Sequence, residues 1–282
     1  MRAMIAPRTV LALVLPMGLL ASCVGLRAEP RDPPAQVQPL AIHPSAEGWD
    51  APGPDVEKVL RSAADALWAH FPGRSLKPIL VEPQGGPIVL FARGPNGEYR
   101  VRLSTGKTYW AQYAFQFAHE FCHILCDFKE GDESNKWFEE SVCETASLYA
   151  LRQMSRTWRT DPPYPHWTDF APHLRSYAEE RMKDARLPRG TTLAAWYREH
   201  EATLRKDACQ RDLNRVVAGE LLALFEKEPR RWEALTWLNA APATAPRTFE
   251  QYLADWHAQC PPAHQGFVRQ VAERFGVRLA AK

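Results

Sequence analysis

No aspartate or glutamate occurs in the first 22 residues, and their apolar stretch, residues 9–20, is interrupted by Pro16 and Gly18. That stretch is too short to cross a bilayer comfortably, and with Arg2 and Arg8 ahead of it the segment reads as an export signal. An excess of either charge is also missing. The formal net charge is +2, and leaving out Arg2 and Arg8 leaves 33 basic against 33 acidic residues. Such a balance offers no electrostatic footprint for nucleic acid. No internal repeat is visible, so the fold is not a repeat array. Disorder is excluded in turn by 45% hydrophobic residues and ten tryptophans, ample for a packed core. A chain of 282 residues suits one large domain, or a core with a smaller attached subdomain.

Residues 24–54 hold seven prolines and little apolar periodicity, the composition of an extended tether. The fold is therefore expected to start near Asp55, read as the N-cap of a helix whose stripe is Val56, Val59, Leu60, Ala63 and Leu67. Strands are expected at 77–81, 88–92 and 99–103, separated by Gly85-Gly86 and by the turn Gly94-Pro95-Asn96-Gly97. A long helix follows over 109–128, then a polar loop and a second helix from 137 to about 154. Beyond a proline-rich break at 161–165, helices are expected near 191–206, 211–226, 229–239, 248–258 and 263–275. Helix, small sheet, then helices is an α+β order.

The long helix contains His119-Glu120-Phe121-Cys122-His123. Side chains four apart on a helix point the same way, so both imidazoles can reach one ion at about 2.0–2.1 Å. Glu120, rotated by about 100° from His119, flanks that ion and can take a proton from its water. A catalytic zinc needs a third protein ligand and an open position. The extension that brings a third histidine in metzincins is missing, because Cys126 and Lys129 stand at its glycine and histidine positions. The second helix, Trp137-Phe138-Glu139-Glu140-Ser141-Val142-Cys143-Glu144, has two acids on one face, Glu140 and Glu144. Glu139 is turned away from that face by about 100°.

Residues 112–150 resemble the gluzincin zinc metallopeptidases, whose third ligand is a glutamate on the helix after the motif helix. Trp137-Phe138-Glu139-Glu140-Ser141 stands where the aminopeptidase branch has Trp-Leu-Asn-Glu-Gly. The resemblance implies a zincin-like core, one Zn²⁺ per chain on His119, His123 and Glu140, and Glu120 as general base. It also implies that Glu144 orients a ligating histidine, with Glu144 itself the alternative third ligand. Two departures are evident. The sixteen residues between His123 and Glu140 make a tight connection, and the N-terminal substrate-binding motifs of the large aminopeptidases are missing. A compact gluzincin is therefore implied, hydrolysing peptides, or a non-peptide amide or ester. A binding or scaffold protein that kept the fold without turnover is the other class.

In gluzincins an edge strand before the motif helix pairs with extended substrate, and residues 99–103 stand in that place; an ordinary sheet strand with a solvated arginine face is the alternative. Tyr149, Tyr164, His166, His173, Tyr177 and Tyr197 are open candidates for steadying the oxyanion. Residues 20–23, Leu-Ala-Ser-Cys, resemble a bacterial lipoprotein signal, which implies lipidation at Cys23. Val24 after the cysteine points to the outer membrane and a periplasm-facing body, touching the membrane through its anchor only. Five further cysteines remain. Cys126 with Cys143 and Cys209 with Cys260 are the candidate disulfides, with Cys122 a competing partner, burial as free thiols the alternative, and reduced Cys126 a competing zinc ligand. The organisation expected is a signal over 1–22, lipidated Cys23 and tether over 23–54, a core over 55–185 and a helical subdomain over 186–282. Its C-terminal aromatics read as core, and neither substrate nor oligomeric state is legible.

Overall fold

A small mixed sheet and a set of helices make an α+β body, seen in a computed structural model that describes residues 39–129, 133–242 and 246–279. The expected export signal, Cys23 and the first part of the expected tether lie outside the described residues. Strand β1 (Ile42–Pro44) pairs in parallel with β2 (Ile79–Pro83). Strand β2 also runs parallel to β4 (Tyr99–Leu103), while β3 (Ile88–Leu90) is antiparallel to β4. The order across the sheet is β1-β2-β4-β3.

Two expectations change here. The ordered body begins before Asp55: Leu40 and Ile42 are buried, and β1 adds to the sheet from within the proline-rich segment. Pro44, which has no N–H to donate, ends that strand at the sheet's margin. In addition, residues 99–103 do not form the edge. Strand β4 is bonded on both sides; the sheet's edges are β1 and β3, and β3 is the one that lines the cleft described below. The arginine face of β4 is engaged as well, with Arg100 Nη2 3.0 Å and Arg102 Nε 3.6 Å from Glu82 Oε2.

Helix α1 (Gly53–Trp68) opens with proline at its first turn, where a missing N–H costs nothing. Asp55 lies inside that turn rather than capping it, and so meets the positive end of the helix dipole. Helix α2 (Trp110–Leu125) carries the histidine motif and ends where Asp127 takes a left-handed φ of 59°. Arg74 caps it, donating to the carbonyls of Leu125 at 2.6 Å and Ile124 at 3.2 Å.

Helix α3 (Lys136–Thr157) is buried on nearly every side, so it shows little amphipathic patterning. Its hydroxyls are satisfied locally, Ser141 Oγ bonding the Trp137 carbonyl at 2.8 Å and Thr145 Oγ1 the Ser141 carbonyl at 2.8 Å. A 3₁₀ turn (Pro165–Phe170) and helix α4 (Ala171–Met182) come next. Helix α4 escapes sequence reading because only Ala171, Leu174 and Ala178 of its residues are buried, too thin a stripe to register. Helices α5 (Leu193–Lys206) and α6 (Arg211–Lys227) lead to a 3₁₀ segment (Pro229–Trp237) where an α-helix was expected. Helices α7 (Phe249–Gln259) and α8 (Pro262–Arg274) complete the body, α7 starting at a Thr248–Gln251 capping box.

One hydrophobic core spans the expected boundary at 185/186. Trp137 and Phe138 of α3 pack against Phe249 and Phe275, with ring centroids 4.8–6.0 Å apart. Trp232, Phe249, Trp256 and Phe267 are buried as core residues. Phe138→Ala is therefore expected to cost about 3–5 kcal/mol, read as a lower urea midpoint at unchanged m-value. Among the described residues no helix is long and apolar enough to cross a membrane.

Candidate metal centre

Helices α2 and α3 face each other with imidazoles on one side and carboxylates on the other. His119 Nε2 lies 3.1 Å from Glu140 Oε2, and His123 Nε2 lies 3.6 Å from Glu140 Oε1. Ligand atoms 2.0–2.1 Å from a tetrahedral ion stand about 3.4 Å from one another. The separations between Glu140 and the two imidazoles bracket that value, one through each carboxylate oxygen.

The other ring nitrogens point to further acids. Glu144 Oε2 is 3.9 Å from His119 Nδ1, and Glu139 Oε1 is 2.6 Å from His123 Nδ1. Glu139 Oε2 in turn accepts a bond from Asn239 Nδ2 at 2.8 Å, and the Tyr252 hydroxyl donates to Asn239 Oδ1 at 3.2 Å. Glu139 is thus not turned away from the site. Helical rotation separates it from Glu140, but the two histidines are themselves spread along a full turn, so adjacent acids on α3 reach different atoms of them. Consecutive acids opposite two histidines four apart were the available signal; Asn239 and Tyr252, about a hundred residues downstream, left none. Such buttressing holds ring orientation and tautomer, and its loss typically weakens metal binding tenfold to a hundredfold. Glu139→Ala is expected to fall in that range in competition titrations against a chromogenic chelator.

Burial and charge act against each other in this cluster. Burial opposes protonation of His123, yet the Glu139 hydrogen bond and the charges of Glu139, Glu140 and Glu120 outweigh it and lift its pKa to about 10. For His119 burial is likewise overcome, by the Glu140 hydrogen bond and the Glu120 charge, and its pKa rises. Burial works against ionisation of Glu140, but its contacts with His119 and His123 bring it down to about 2. Burial raises both Glu120 and Glu144, offset in part by neighbouring cations. Four glutamates around two imidazoles make a site in which added positive charge is stabilised.

A second donor set shares the same histidines: one ligand atom each of His119, His123 and Cys143 lie within 4.8 Å of one another. The thiol that approaches the histidines is therefore Cys143, not Cys126. Cys143 is fully buried and does not line the adjoining cleft, whereas Glu140 does. A metal on the thiol side would be closed off; one on the Glu140 side would face open space. Neither expected disulfide is formed, since Cys122, Cys126, Cys143, Cys209 and Cys260 are all free thiols. Cys122, Cys126 and Cys143 instead contact one another inside the α2–α3 packing. Cys260 is buried against the Ala234 carbonyl at 3.8 Å, while Cys209 is exposed on the cleft rim.

The cleft holds about 790 Å³ and is lined by β3 and Phe91, by His119, Glu120 and His123, and by residues of α4 and α6. Glu120, 4% exposed, lies in its floor. None of the six candidate oxyanion residues lines it. Tyr149 is bonded to His70 Nε2 at 2.9 Å, Tyr197 stacks on Trp137, and Tyr177 accepts a bond from Arg181. Tyr164 and His166 stack on each other beside Trp167, and His173 meets Phe170. No known protein family, curated protein or solved structure matches the chain.

Proposed function

We propose that this protein is a zinc-dependent peptidase of compact gluzincin type. The observation that carries the reading is Glu140, whose two oxygens meet His119 Nε2 at 3.1 Å and His123 Nε2 at 3.6 Å beside an open cleft. His119, His123 and Glu140 would hold the zinc, which when bound supplies a Lewis acid toward a peptide carbonyl. Glu139 holds His123 by its outer nitrogen, and Glu144 lies 3.9 Å from that of His119. Glu120 lies in the cleft without ligating. Burial raises its pKa, which suits a carboxyl that takes a proton from water and returns it to the leaving amine. The free edge of β3 gives an extended peptide backbone a partner, with Ile88 and Phe91 each 44% exposed beside it. The Leu20-Ala21-Ser22-Cys23 segment supports attachment of the body to a bacterial envelope membrane through lipid on Cys23.

The His119–His123–Cys143 group supports a second reading, a closed metal site in a binding or scaffold protein. Zinc analysis of Glu140→Ala and Cys143→Ala separates the two. The peptidase reading requires about one zinc per chain, lost with Glu140→Ala, kept with Cys143→Ala, and cleavage of a peptide pool that a chelator stops. Zinc lost with Cys143→Ala and kept with Glu140→Ala would establish the closed site instead.

A further inference from the structure

The cleft wall contributed by α4 and α6 carries more positive charge than its neighbours balance. Arg181 of α4 and Arg211 and Arg215 of α6 all line it. One buried carboxylate serves all three: Arg215 Nε is 3.8 Å from Glu144 Oε1, and the charges of Arg181 and Arg211 act on the same group. Glu144 is already engaged with His119, and the second acid paired with Arg215, Asp212, is 94% exposed. Asp207 and Glu133 also line the cleft, together with Lys136, Arg205 and Lys206, so cations still outnumber acids around it. Among the described residues no carboxylate lies within ion-pair distance of Arg181 or Arg211.

Arg181 is also held in place. Its guanidinium lies 4.9 Å from the Phe115 ring centroid and 5.0 Å from that of Tyr177, and it donates to the Tyr177 hydroxyl at 2.6 Å. A guanidinium fixed this way loses little freedom when it forms a two-pronged bond to a carboxylate. A peptide paired along β3 projects every second side chain from one face of the sheet, beside a cleft that these arginines also line. A divalent metal on the floor would add to the same positive field.

We propose that Arg181, Arg211 and Arg215 select peptides bearing a carboxylate beside the segment held along β3. This inference rests on the peptidase reading of the same cleft. The carboxylate belongs either to an acidic side chain or to a free C-terminus, and both present the same group to the arginines.

The probes are four dansyl-labelled heptapeptides with a central Glu-Glu or Gln-Gln, each as the free acid and as the C-terminal amide. Binding is followed by fluorescence on the zinc-loaded protein carrying Glu120→Gln. At least one carboxylate is expected to strengthen binding about tenfold, the gap narrowing with added salt. A Glu-over-Gln gap assigns the side chain, and an acid-over-amide gap assigns the terminus. Arg211→Gln, at an exposed position, and Arg181→Gln are each expected to collapse that gap to about threefold or less. Equal binding of all four peptides, no binding of any, or a gap that survives both substitutions would overturn the proposal. Tight, arginine-dependent binding with no cleavage by the zinc-loaded wild-type protein would count for the basic wall and against hydrolysis.

Discussion

Replacing Glu120 by glutamine is expected to lower peptide turnover by about two to four orders of magnitude while zinc content stays near one per chain. The expectation follows from where the side chain sits. Glu120 lies in the cleft floor at 4% exposure, but the two imidazole Nε2 atoms face Glu140 rather than Glu120. Glutamine keeps the shape and a polar tip, so the packing of α2 against α3 is undisturbed. It loses the proton-accepting carboxylate, whose raised pKa follows mainly from burial. The loss should fall on kcat with KM little changed, since a proton transfer made in the transition state is removed rather than a binding contact. Zinc retention together with turnover within threefold of wild type would rule Glu120 out as the base.

Zinc affinity and the stability that zinc adds are both expected to rise steeply with pH. Without metal, His123 has a pKa lifted from 6.5 to about 10, with burial opposing and its carboxylate neighbours prevailing, and Glu140 falls from 4.5 to about 2. The signs differ. The raised histidine stabilises the metal-free fold fully below pH 6.5 and loses that contribution as pH climbs through 10. The depressed glutamate contributes above pH 4.5 and loses it as pH falls through 2. The metal-free fold therefore draws most from this pair between those two reference values. Zinc must displace the imidazole protons, so binding releases up to two of them and affinity grows about tenfold per pH unit for each. Free zinc at a hundred times its dissociation constant adds about 2.7 kcal/mol. The gap in melting temperature between zinc-loaded and chelator-treated protein should accordingly widen from pH 6 to pH 9. A gap independent of pH would mean that the metal does not bind through these histidines.

Local pattern determined much of this protein. Alternation and glycine turns marked three of the four strands, and apolar spacing marked α1, α2, α3 and most of the later helices within a few residues. The His119–His123 spacing and the acids of the following helix named the residues that the structure brings together, because helical geometry is a local property. Tertiary structure decided the rest, since pairing and packing join residues that no short window contains. Ile42 became part of the sheet only because β2 offered it an edge. Strand β4 lost its place at the edge to β3 because β2 and β3 flank it. Glu139 met His123 because α2 and α3 pack with the two histidines spread along a full turn opposite it, and Asn239 with Tyr252 closed around it from about a hundred residues away. The thiols stayed free, and arginines from α4 and α6 came to face the same cleft. A sequence specifies which groups a short segment presents; which of them meet depends on how distant segments share one core, and that is decided only when the whole chain packs.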